Sequence, residues 1–139
     1  MLLLDTHVWL WSVHGDAKHI GRRARQMLSK AESAGTLRVS PVTLFEVTAL
    51  HTLGRLRLTR PPDEWIREAL HAGDVRIAEL SAQMAIDAGA IPRAVLADPL
   101  DRLLVSTAQH LQATFLTSDS RILDFAAATR QVRIHDAGK

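Results

Sequence analysis

Cysteine is absent from the 139 residues, which excludes disulfides and thiolate metal sites and suits a reducing compartment. Tyrosine is absent too, and aromatic residues make up only 4% of the chain. No apolar run approaches the roughly 18 residues of a membrane span. The start Met1-Leu2-Leu3-Leu4 has no basic segment before it and meets Asp5 at once, unlike a signal peptide. A soluble, cytoplasmic protein without a membrane partner is therefore expected. Large net charge is also missing: a formal +2 does not announce nucleic-acid binding through bulk electrostatics. Neither a GxxxxGK[ST] loop nor a GxGxxG turn is present, so nucleotide binding has no positive support. There is no G-x-S-x-G elbow, and the seven histidines form no HExxH pattern, which argues against serine and zinc hydrolases.

What is present is ordinary globular composition, 47% apolar and 23% charged, at a length that suits a single domain over residues 1–139. Short apolar runs alternate with longer helical patterns, the signature of a parallel sheet with crossover helices. Strands are expected at Met1–Leu4, Leu37–Ser40, Val75–Glu79, Thr114–Thr117 and Val132–His135. Helices are expected at His7–Ser12, Gly21–Ser33, Val42–Leu53, Asp63–Ala72, Ser81–Ala88, Leu100–Leu111 and Ser120–Ala127. Pro41 suits a first helical turn and Gly54 a helix end, Asp63 is a plausible cap, and Gly89 to Pro99 reads as a loop. The fold class is α/β.

Four acids sit where apolar segments end or turn inward. Asp5 closes the first run, and Asp119 follows Thr114-Phe115-Leu116-Thr117-Ser118. Glu46 falls among Val42, Phe45, Ala49, Leu50 and Leu53, which read as an apolar stripe, and Asp101 shares a face with Leu104, Val105 and Ala108. Strand-end residues of an open α/β sheet meet at the crevice where ligands bind. Carboxylates beside apolar surface are costly unless neutralised, and four converging would repel strongly without a cation. A Mg²⁺ or Mn²⁺ site is the simplest common account, because hard divalent ions prefer oxygen ligands. Each acid also has a bland account. Asp5, Asp101 and Asp119 fit helix caps or a helix dipole, and Glu46 fits a partly buried pair with an arginine. Those accounts are independent, whereas one site explains all four. A haloacid-dehalogenase nucleophile at Asp5 would need an aspartate two positions on, where His7 stands. Arg22, Arg23, Arg25 and Lys30, and Arg55, Arg57 and Arg60, suit phosphate recognition but read first as solvated surfaces.

The stretches Leu3-Leu4-Asp5-Thr6-His7, Ser40-Pro41-Val42-Thr43-Leu44-Phe45-Glu46, Asp98-Pro99-Leu100-Asp101-Arg102-Leu103-Leu104 and Leu116-Thr117-Ser118-Asp119 closely resemble the PIN-domain family. More narrowly they resemble its VapC-type ribonuclease toxins of toxin–antitoxin modules. No single piece is specific; all four in order, over nearly the whole chain, are. The resemblance implies a PIN-like α/β/α sandwich with a central parallel sheet of about five strands and an acidic pocket for Mg²⁺ or Mn²⁺. It makes Asp5, Glu46, Asp101 and Asp119 the catalytic, metal-binding quartet. Thr6 and Thr117 become supporting hydroxyls, and Asp98 becomes either an outer ligand or the cap of its helix. It further implies an RNA substrate, a homodimer and a cognate antitoxin. Hydrolysis would be in line and leave 5′-phosphate and 3′-hydroxyl ends. The alternative is a catalytically silent PIN-like binding or regulatory module, although such a module has no physical reason to keep the quartet. In His7-Val8-Trp9-Leu10-Trp11, one tryptophan is expected in the core and the other at its rim, with a groove wall for a partner helix or base stacking as further readings.

Overall fold

The computed structural model covers residues 1–139. Its elements run β1 (Leu2–Leu4), α1 (Thr6–His14), α2 (Arg22–Ala34), β2 (Leu37–Val39), α3 (Pro41–Thr52), α4 (Pro62–Ala72), β3 (Arg76–Ile77), α5 (Ala82–Ala90), α6 (Pro99–Leu111), β4 (Thr114–Thr117), α7 (Ser120–Thr129) and β5 (Arg133–Asp136). All five strands are parallel, in the order β3-β2-β1-β4-β5. This is the α/β sandwich around a five-stranded parallel sheet that was expected.

The central strand β1 is buried on both faces, which is why it reads as an unbroken leucine run rather than an alternating one. Leu2, Leu4, Leu37, Val39 and Leu116 pack against Val8 and Trp9 of α1, Ala24 and Ala31 of α2, and Trp65 and Ala69 of α4. Leu3 and Phe115, on the opposite face, meet Leu104, Val105 and Ala108 of α6 and Ile122 and Phe125 of α7. Helix α3 serves both layers, Val47 in the first and Val42 in the second.

Local chemistry sets most helix starts. Ser40 accepts the Val42 amide and Pro41 occupies the first turn of α3, while Ser81 accepts the Met84 amide at the start of α5. Gly54 follows α3 with φ of +74°, the left-handed conformation that glycine adopts without strain.

Several expectations shift. Helix α1 is longer than His7–Ser12, and α5 runs on through Gly89, so the loop toward Pro99 starts later. The expected strand Val75–Glu79 shrinks to Arg76–Ile77: both residues are exposed on the sheet edge, and the apolar flanks Val75 and Ala78 bury themselves outside it. Asp63 stands within the first turn of α4, where it favours the helix dipole, and Pro61 occupies the cap position. The stripe assigned to α3 is wrong in membership. Phe45 and Leu53 are 62% and 68% exposed, and the buried face is Val42, Thr43 and Val47. A period near 3.6 fits both stripes, so periodicity alone does not choose between them.

Gly21 precedes α2 where the segment Ala137–Lys139 crosses it. Its amide donates to the Ala137 carbonyl at 2.8 Å and the Arg23 amide donates to Lys139 at 3.0 Å. A Cβ at Gly21 would fall on the backbone of Lys139. Gly21→Ala is therefore expected to destabilise the protein by about 1–3 kcal/mol through overpacking, read as a lowered urea midpoint. An unchanged midpoint would mean that this segment is not held against α2.

Candidate functional site

Strands β1 and β4 are neighbours, but the chain leaves them for opposite halves of the sheet, so a crevice opens beyond their carboxyl ends. Asp5 directly follows β1, and Asp119 stands two residues beyond β4. Asp5 Oδ1 accepts the Thr6 amide at 2.8 Å, and its Oδ2 accepts the Thr117 hydroxyl at 2.5 Å. Asp119 Oδ1 accepts the Arg121 and Ile122 amides at 2.8 and 3.3 Å, and the Asp119 amide donates to Thr117 Oγ1 at 3.0 Å. Thr117 is buried and ties the two strand ends together across the crevice. Capping and site-building are thus not rivals here: in each aspartate one oxygen serves the helix and orients the other.

Glu46 reaches the same crevice from α3. Its Oε1 accepts the Thr6 hydroxyl at 2.7 Å, and Thr6 Oγ1 also lies 3.1 Å from Thr43 Oγ1. Asp101 occupies the first turn of α6 and is only 9% exposed, facing inward with Leu104, Val105 and Ala108. Asp98 is the cap of α6, its Oδ1 accepting the Leu100 and Asp101 amides at 2.8 and 3.4 Å.

The electrostatics follow from this crowding. Burial holds the Asp101 carboxyl up at about 7, and the charges of Asp98, Asp119, Asp5 and Glu46 push it the same way. Burial also raises Glu46 against the opposing Thr6 hydrogen bond, with Asp5 and Asp98 adding repulsion. Asp5 is raised by burial, although Thr117 and the Thr6 amide oppose the shift. None of these three pairs with an arginine, which removes the bland account of Glu46. Asp119 has only an exposed arginine, Arg121, at 3.8 Å, a contact worth little in water. Arg102 turns away toward the Ile91 carbonyl, and both arginine clusters are solvated.

No three Asp, Glu or His side chains stand close enough together to enclose an ion by themselves. The donor set nevertheless fits Mg²⁺ or Mn²⁺. It is all oxygen and negatively charged, and Mg²⁺ usually keeps several waters while binding one or two carboxylates directly. Two nearby residues escaped the sequence reading. Thr43 lay outside the apolar stripe read for α3, and only the register of α3 against α1 brings it to Thr6. His7, exposed, favours the charged forms of both Asp5 and Glu46; its place directly after Thr6 was the available signal.

Along α1, Trp9 is fully buried and meets Trp65 edge-on at 5.7 Å, while Trp11 stacks on His19 at 4.7 Å at the rim. A hollow of about 250 Å³ between α1, α2 and α4 is lined by Trp9, Val13, Glu32, Leu37 and Ala69. The buried Trp9 Nε1 has no hydrogen-bond partner.

The chain matches the family described as PIN domain over residues 2–128. It is 30% identical over 121 residues to Ribonuclease VapC22 of Mycobacterium tuberculosis, covering 87% of this chain and 88% of that one. The fold is similar to a chain in the crystal structure of VapBC2 from Rickettsia felis bound to a DNA fragment from their promoter, with a TM-score of 0.68, 16% identity and 96% of both chains covered.

Proposed function

As the chain belongs to the PIN-domain family, we propose that it is a divalent-metal-dependent endoribonuclease, the toxin of a toxin–antitoxin pair. One observation carries this reading: the inward-facing Asp101, only 9% exposed beside Asp98, Asp119, Asp5 and Glu46, with no buried cation to compensate it. Similarity to a ribonuclease over most of both chains supports it.

Asp5, Glu46, Asp101 and Asp119 would hold Mg²⁺ or Mn²⁺, which when bound neutralises phosphate oxygens and lowers the pKa of a water. The protein's own part is placement. Thr117 and the α1 cap fix Asp5, the α7 cap fixes Asp119, and Thr6 fixes Glu46. Asp98 anchors the first turn of α6 and so sets where Asp101 stands. Asp101, held near 7, is only partly ionised at neutral pH, so loading is coupled to proton release. With the phosphodiester aligned beside these acids, in-line hydrolysis leaves 5′-phosphate and 3′-hydroxyl ends.

The hollow beside Trp9 and the half-exposed Trp11 support an antitoxin segment lying across α1, with an arginine reaching the carboxylates as a bidentate partner. A homodimer belongs to the same reading. The protein incubated with RNA should cleave with Mg²⁺ or Mn²⁺ and stop with chelator, the ends sequenced to identify the chemistry. Expressed alone it should slow growth, and co-expression of a small neighbouring protein should restore it. Active, soluble protein at high level without harm would point instead to a housekeeping domain, and inactive protein to a silent one.

A further inference from the structure

Thr6 Oγ1 carries one proton and lies within hydrogen-bond distance of two oxygens, Glu46 Oε1 at 2.7 Å and Thr43 Oγ1 at 3.1 Å. An ionised glutamate only accepts, so the Thr6 proton goes to Glu46. The contact with Thr43 is then a hydrogen bond only if Thr43 donates. Thr43 is 0% exposed, and its hydroxyl has no other partner, neither a backbone carbonyl of the preceding turn nor a side chain. The direction of the chain is thereby set: Thr43 to Thr6 to Glu46. A buried hydroxyl without an acceptor costs about 1–3 kcal/mol, so Thr43 itself depends on Thr6 keeping one rotamer. Threonine in a helix has two χ1 rotamers open to it, and in the other one Thr6 would release Glu46.

We propose that Thr43 is a positioning residue: its buried hydroxyl locks the Thr6 rotamer, and through Thr6 aims the Glu46 carboxylate into the crevice. Each hydroxyl polarises the next, so the bond to Glu46 is stronger than an isolated threonine would give. Helix α3 thus contributes to the site twice, one turn apart, with Thr43 acting across to α1 and back onto its own Glu46. The inference rests on Glu46 as a ligand only for its consequence in ion binding; the rotamer lock stands or falls by itself.

The test compares Thr43→Val, which keeps the shape and removes the hydroxyl, with Thr43→Ser, which keeps the hydroxyl, in the full chain. Three-bond couplings of Thr6 in metal-free protein report its rotamer, and Mn²⁺ titrations of the melting temperature report affinity. Wild type and Thr43→Ser should show one Thr6 rotamer, and Thr43→Val should show averaging. Loss of an outer partner of a ligand typically weakens metal binding 10–100-fold; one step further out, the Mn²⁺ midpoint in Thr43→Val should rise about 5–10-fold and in Thr43→Ser less than about two-fold. A single Thr6 rotamer in Thr43→Val overturns the proposal. So does an equal shift in both variants, which would make packing rather than the hydroxyl responsible. If no variant, wild type included, responds to Mn²⁺, the metal reading of Glu46 fails, and the Thr6 couplings alone decide the lock.

Discussion

Asp101→Asn is expected to abolish metal-dependent RNA cleavage, by at least about 10³-fold, while making the metal-free protein more stable. Loss of an outer partner of a ligand already costs 10–100-fold, so loss of the charge that answers the ion should cost more. Asparagine has nearly the same shape, so packing with Leu104, Val105 and Ala108 is kept. What disappears is a buried carboxyl raised from 3.8 to about 7 by desolvation and by four neighbouring acids. At about 1.4 kcal/mol per unit, reduced because solvent screens part of the field, removing that penalty should add about 1–2 kcal/mol above neutral pH. Opposite signs for activity and stability distinguish a functional charge from a structural one. Asp98→Asn should do less, since asparagine caps about as well and only the field on Asp101 changes. Equal loss at the two positions would make Asp98 a ligand; an active Asp101→Asn enzyme would remove Asp101 from the site.

The parts of this molecule that were legible in its sequence are those where a local rule and a tertiary requirement agree. Leu2-Leu3-Leu4 is apolar throughout because a central parallel strand is covered on both sides, so the run alone identified β1. Asp5 and Asp119 were readable as strand-end acids for the same reason, and Asp98-Pro99 announced the start of α6. The edge of the sheet was less legible: Arg76–Ile77 is exposed, and no hydrophobic demand sharpens its ends. Phe45 misled because an exposed aromatic beside Glu46 carries the same periodic signal as a buried one. Thr43 could not have been singled out, as its role is a 3.1 Å contact across 37 residues that depends on how α3 lies against α1. The sequence likewise marked acids as inward-facing without specifying their separations, and a crevice without three ready-made ligands looks identical in one dimension to one that has them.

Millimolar Mg²⁺ or Mn²⁺ is expected to raise the melting temperature by about 10 °C at about pH 8 and by almost nothing at about pH 5. At 100 times its dissociation constant a native-state ligand adds about 2.7 kcal/mol, which for a domain of this size is several degrees per kcal/mol. The pH dependence comes from Asp101, held at about 7, and from Asp5 and Glu46, raised in the same direction. A carboxyl with a raised folded pKa makes the native state bind more protons than the unfolded one. Its stabilising contribution is therefore full below about 4 and is lost as pH rises to about 7, so the metal-free protein weakens across that window. An ion needs those carboxylates deprotonated, so its contribution grows over the same window. The two curves, with and without ion, should diverge upward from about pH 5 and run parallel above about pH 7.5. Asp101→Asn should flatten most of the metal-free slope and most of the ion's increment together, because one carboxyl underlies both. An increment independent of pH, or one given by zinc alone, would mean that the ion binds elsewhere, for example at the exposed pair His110 and Asp87, 2.6 Å apart. Loss of the increment in Asp101→Asn with no change in His110→Ala would return it to the crevice between β1 and β4.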